Sequence, residues 1–147
     1  MKTIYGFLFV ILASIISGTI IVVVLQTGNI VMMAPVLSPH RGITVVFPKA
    51  NDVVTSPLQI TGEVTGNGWS GFEGQVGQVI LLDNNGKILG RGDLAATTDW
   101  TILPTQFKTA IEFNVPDTVT GSLVFHNENA SGDPTRDKTF TLSVKFK

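Results

Sequence analysis

The stretch Thr139-Phe140-Thr141-Leu142-Ser143-Val144-Lys145-Phe146 decides the fold. Phe140, Leu142, Val144 and Phe146 alternate with Thr139, Thr141, Ser143 and Lys145. A period of two puts every apolar side chain on one face of an extended strand, whereas a helix would scatter them around its axis. A strand with one apolar face must bury it against a second layer.

The same signal recurs upstream. Leu58, Ile60 and Val64 alternate with Gln59, Thr61 and Glu63. Phe107, Thr109, Ile111, Phe113 and Val115 oppose Lys108, Glu112 and Asn114, and Leu123 and Phe125 continue the pattern. Ile43 to Phe47 is a β-rich run stopped by Pro48. Val76 to Asp83 is a nearly continuous apolar strand, followed by Asn84-Asn85-Gly86 and then Lys87 to Gly90. Asn-Gly supplies the positive φ angles of a tight hairpin turn. About seven short strands with turn residues between them and no helical periodicity predict an all-β, immunoglobulin-like antiparallel β-sandwich over residues 41–147. Its core is expected from Phe47, Phe107, Phe113, Phe125, Phe140 and Phe146, with Trp100 also inside. A buried Phe contributes about 2–3 kcal/mol of transfer free energy. That set can replace a disulfide, which this chain cannot form because it contains no cysteine.

In front of this β-pattern stands an uncharged apolar run from Ile4 to Leu25. It matches the ~20 residues a helix needs to cross a bilayer's hydrocarbon core. A secretory signal is the alternative, but its apolar region is shorter and ends at a small-x-small cleavage site. Here Met32-Met33-Ala34 is followed by Pro35. The expectation is a retained signal-anchor over residues 1–25, a Pro-punctuated connector over 26–40, and one outer domain. Lys2 precedes the run and no Lys or Arg follows until Arg41. The positive-inside bias then places the N-terminus in the cytoplasm and the domain outside a single-pass cell membrane. The absence of cysteine excludes lipoprotein attachment. A formal charge of −1 with no basic cluster argues against a nucleic-acid partner, because counterion release needs clustered Lys or Arg.

The segment Phe47-Pro48-Lys49-Ala50-Asn51-Asp52-Val53-Val54-Thr55-Ser56-Pro57-Leu58-Gln59-Ile60-Thr61-Gly62 resembles the opening of the bacterial spore-germination-associated immunoglobulin-like domain family. Phe72-Glu73-Gly74, then Asp83 and Gly86, then Trp100 ahead of Phe107, and the Ser131-Gly132-Asp133 loop fit in order. The resemblance spans roughly Ile43 to Phe146, with Thr65 to Gly71 as a loop insertion. It implies an extracytoplasmic adhesive or scaffolding module, and it brings no catalytic residues.

Candidate sites are few. His126 is the one histidine of the predicted sandwich and is read as a solvent-facing strand residue; without cysteine, neither a nucleophile triad nor a metal site assembles around it. Asp83-Asn84-Asn85-Gly86 looks like a calcium loop but lacks the further ligands and terminal Glu of an EF-hand. Glu128, Asp133 and Asp137 have Arg136 among them. No metal or cofactor is expected. Glu73 reads as half-buried and bonded to loop amides, with ligand contact as the alternative. Trp69, amid the glycines of Gly66 to Gly71, is either an aromatic anchor for a sugar or protein partner or a lid folded over the sandwich end. Asn129-Ala130-Ser131 is a glycosylation sequon where the organism modifies such sites.

These features predict a non-catalytic, membrane-anchored binding or scaffolding module that meets a wall glycan or an envelope protein. A pilin-like filament subunit shares the layout of apolar helix and β-domain. This run, however, has neither the basic-Gly junction before it nor the Glu inside it that pilin processing uses.

Overall fold

The computed structural model describes residues 42–147. The expected anchor over 1–25 and connector over 26–40 lie outside the described residues. Among the described residues no helix is long and apolar enough to cross a membrane.

The described residues form β1 (Ile43–Phe47), β2 (Val53–Val54), β3 (Leu58–Val64), β4 (Gln75–Asp83), β5 (Ile88–Ala96), β6 (Thr105–Ile111), β7 (Thr120–Asn127) and β8 (Thr139–Phe146), with a 3-10 turn at Pro134–Arg136. They make one curled eight-stranded sheet in the order β1-β3-β6-β5-β4-β7-β8-β2. Every pairing is antiparallel except β2 with β8.

The sheet folds over at β5. Only Ala95 and Ala96 of β5 pair with β6, opposite Lys108 and Phe107. The earlier part of β5 lies against β6 face to face. A Cβ added at Gly90 would come 2.4 Å from Ile111 Cγ2, and one at Gly92 would come 2.6 Å from Thr109 Oγ1. The missing side chains are what let the two layers approach.

Alternation along the strands then closes the core. Val76, Val79, Leu81, Leu123 and Phe125 from one layer meet Ile60, Val64, Phe107 and Ile111 from the other, all 2 % exposed or less. Phe113, just past β6, stacks at 5.8 Å on Phe146 at the end of β8. Phe125 and Phe140, opposite one another on β7 and β8, are also 5.8 Å apart. Burial of this kind is the main favourable term in folding a domain of this size.

Two core expectations, Phe47 and Trp100, need correction, as does the apolar strand face read for Val115. Phe47 is 47 % exposed. The β1–β3 register slips between Val45 and Phe47, and a one-residue slip turns a side chain to the opposite face. Val115 is 62 % exposed because β6 ends at Ile111 and the chain has left the sheet. Trp100 is 38 % exposed, in the connector between β5 and β6.

The eighth strand is the two-residue β2. After β1 the chain changes layers and runs parallel to β8, with Asn51 N–H donating to Ser143 O and Lys145 N–H to Asp52 O, both at 2.8 Å.

Candidate functional site

Register places three long connectors at one end of the sandwich. Val64 at the end of β3 pairs with Thr105 at the start of β6, Gln75 at the start of β4 with Ala95, and His126 near the end of β7 with Thr139. Residues 65–74, 97–104 and 128–138 therefore gather together. Ile43 pairs with Val64 as well, so the chain also enters the domain at this end.

Trp69 sits at the base of the first connector. Its ring is 2 % exposed and packed into the core. Gly42, at φ +69°, lies against it: an added Cβ would come 2.1 Å from Gly66 O and 2.8 Å from Trp69 Cδ1. Thr65 N–H donates to Gly42 O at 2.8 Å and Trp69 N–H to Gly66 O at 3.0 Å. The ring is a lid beneath Gly42; of the two readings of Trp69, burial agrees with the lid and corrects the exposed ligand anchor.

The exposed rings at this end are Phe72 and Trp100, 44 % and 38 % accessible. They meet edge to face with centroids 6.4 Å apart. A Cβ at Gly71 would strike Trp100 O at 2.6 Å, so the two connectors touch backbone to backbone. Phe72 and Gln75 close a two-residue turn through paired bonds of 2.8 and 3.0 Å. Glu73 and Gly74 form its tip, both with positive φ. That geometry leaves Glu73 exposed instead of half-buried.

The third connector is braced by its own side chains. Asn129 Nδ2 donates to Asp133 O at 2.8 Å and to Asp137 Oδ1 at 2.6 Å, while its Oδ1 accepts from Ser131 Oγ at 2.7 Å. Asp133 accepts from the backbone N–H and the hydroxyl of Thr135, and these bonds hold its carboxyl below the ordinary carboxylate range. In the second connector the hydroxyl and backbone N–H of Thr101 do the same for Asp99.

Asn127 ties two connectors together. Its Nδ2 donates to Gly68 O at 2.7 Å and Arg136 O at 3.1 Å, and its Oδ1 accepts from Lys138 N–H at 2.8 Å. Between the tied loops runs a groove of about 440 Å³, with Phe72, Ser70 and Gly68 on one wall and Asn129, Ser131, Thr135, Arg136 and Lys138 on the other. Glu128 adds a carboxylate to the lining, and an aromatic ring beside hydroxyls, amides and charges of both signs suits a polar ligand with an apolar face.

The remaining candidates lie elsewhere. His126 is half-buried on β7, opposite Thr139 and Gln78. Asp83 is buried, and its Oδ1 accepts from Asn85 N–H and Lys87 N–H at 2.8 Å each, which makes it a turn residue. Among the described residues no three His, Cys, Asp or Glu side chains gather in a metal-binding group. Of the residues singled out in the sequence, Trp69, Glu73 and Asn129 all fall at this loop end. Phe72, Asn127, Arg136 and Lys138 were not singled out as site residues. Only the Phe-Glu-Gly turn next to a glycine-rich loop signals the first of them.

No curated protein and no solved structure matches the chain. One family model does, over residues 42–133, from the residue before β1 into the loop that precedes β8. A match of that extent, on a curled sheet of this topology, identifies the chain as a member of the family described as an immunoglobulin-like domain of bacterial spore germination.

Proposed function

We propose that the protein is a non-catalytic binding module held at the cell envelope by its N-terminal apolar run, with the loop end as its binding surface and wall glycan as its ligand. The observation that carries this reading is the groove between the 65–74 and 128–138 connectors, walled by the exposed ring of Phe72 and by hydroxyl, amide and cationic side chains together with the carboxylate of Glu128. A sugar ring offers an apolar face to an aromatic and a rim of hydroxyls to such polar groups. The Asn127 bonds to both walls pre-organise the groove, so little ordering entropy is lost when a ligand enters. The uncharged run from Ile4 to Leu25 supplies the tether and the single-pass orientation.

The test is pelleting of the detergent-solubilised full chain with purified wall material, beside Phe72→Ala. Wild-type pelleting that the substitution weakens about tenfold supports a glycan module, since a central aromatic anchor contributes on the order of 1–2 kcal/mol. If neither pellets, glycan is not the ligand, and an envelope protein becomes the partner to seek.

A further inference from the structure

We infer that the apolar tip beside the groove, formed by Phe72, Trp100, Ile102 and Leu103, docks onto the surface of a phospholipid bilayer; this contact goes beyond the groove's ligand and rests on the tether in the reading above. Ile102 is 63 % exposed, Leu103 and Phe72 44 % each, and Trp100 38 %. Single exposed aliphatics are ordinary on a protein surface, but four large apolar side chains on two touching connectors form a patch.

The tip is built to stay exposed. Asp99 accepts from the N–H and hydroxyl of Thr101, and Thr105 Oγ1 donates to Ile102 O at 3.1 Å, so both flanks of the 100–103 segment are fixed. Leu103 lies over Gly66, 3.5 Å from where a Cβ there would be, and Gly71 passes under Trp100. A rigid loop that presents Trp, Ile and Leu outward has the chemistry of a bilayer interface. The indole occupies the headgroup level and the aliphatic side chains reach the acyl boundary.

The occupant follows from where the rest of the chain joins. Residues 1–41 connect to the domain at Gly42, and Gly42 packs on Gly66 and Trp69 at this same end. The apolar run ends at Leu25, so only residues 26–41 separate it from that junction. A short tether keeps the bilayer at high effective concentration, and a contact too weak to act alone then forms. Val115 and Val119 are exposed at the opposite end, but the chain does not enter there. Arg136 and Lys138 are outnumbered on these connectors by Glu73, Asp99, Glu128, Asp133 and Asp137, so attraction to anionic headgroups does not drive the docking and the contact is apolar. Salt therefore leaves it intact.

The test uses the full chain reconstituted in phosphatidylethanolamine–phosphatidylglycerol vesicles, with acyl chains brominated near the headgroup in one set. Trp69 is buried, so bromine quenching reports Trp100. The expected result is quenched emission at low and at 0.5 M salt. The quenched component should disappear in Trp100→Phe and fall by more than half in the Ile102→Asp, Leu103→Asp double variant. Equal emission with and without bromine, in a chain that still floats with vesicles after an alkaline wash, overturns the docking and leaves the tether standing. If alkali strips the chain, the tether fails, and flotation at neutral pH decides the docking. Loss of that flotation in the double variant upholds it, and equal flotation or none overturns it. The thermal unfolding midpoint of the double variant, expected at the wild-type value, checks that the fold is intact.

Discussion

The side-chain amide of Asn127 donates to the backbone carbonyl of Gly68 at 2.7 Å, across 59 positions of sequence. The same amide group holds Arg136 O and Lys138 N–H, so one residue at the end of β7 fastens both walls of the groove. Asn127→Ala removes three bonds at a partly exposed site. The expected cost is about 1–2 kcal/mol in urea unfolding, together with weaker retention on wall material. Asn127→Asp is expected to cost more, because a carboxylate has no N–H to offer either carbonyl. An unchanged unfolding midpoint in both variants would remove Asn127 from this role.

Trp69 and Phe72 are three residues apart and predict opposite outcomes. Trp69→Ala empties the largest fully buried side chain and is expected to destabilise the domain by about 3–5 kcal/mol. Phe72→Ala is expected to change stability by less than ~1 kcal/mol while reducing binding. Unfolding curves and pelleting, measured on both variants, separate the structural ring from the binding ring.

Close approach of β5 to β6 gives a third contrast. Gly90→Ala drives a methyl to 2.4 Å from Ile111 Cγ2, with an expected loss of about 1–3 kcal/mol. Gly86→Ala at the β4–β5 turn meets nothing within 4 Å and suffers only from its φ of +80°, about 1 kcal/mol. Thermal unfolding should rank Gly90→Ala below Gly86→Ala.

Acid should loosen the loop end. Asp99 and Asp133 both titrate below the ordinary carboxylate range because Thr101 and Thr135 donate to them. A carboxyl whose folded pKa is depressed adds stability that is fully present above its unfolded pKa, near 4, and is lost as pH falls through the folded value. Both groups are fully solvent-accessible, so the effect is small and confined to acid. The unfolding midpoint is expected to fall less between pH 5 and pH 2 in Asp133→Asn than in wild type. Equal drops would mean that the Thr135 bonds do not persist in solution.

Much of this architecture was legible in the chain. β8 and β3 alternate because each buries one face, and that pattern survives whatever the partner strand is. β2 was not legible, because two residues pairing in parallel with β8 carry no period of their own. The bulge that turns Phe47 outward depends on where β1 slips along β3, a tertiary choice with no local signature. At the site, the glycine-rich loop was legible but the direction of its ring was not. Trp69 turns inward because Gly42, more than twenty residues earlier, leaves room above it. Trp100 lies outside the core because the layer change at β5 ends the strand before reaching it.

A ligand that fills the groove between the 65–74 and 128–138 connectors must perturb the backbone amides of both walls. Amide chemical-shift mapping of the isotopically labelled full chain in detergent, titrated with solubilised wall fragments, tests it most directly. Shifts are expected to cluster at Ser70, Phe72, Asn127, Asn129 and Lys138, with the Asn84–Gly86 turn at the opposite end unmoved. Saturable shifts centred on that opposite end, or none at any fragment concentration, would contradict it.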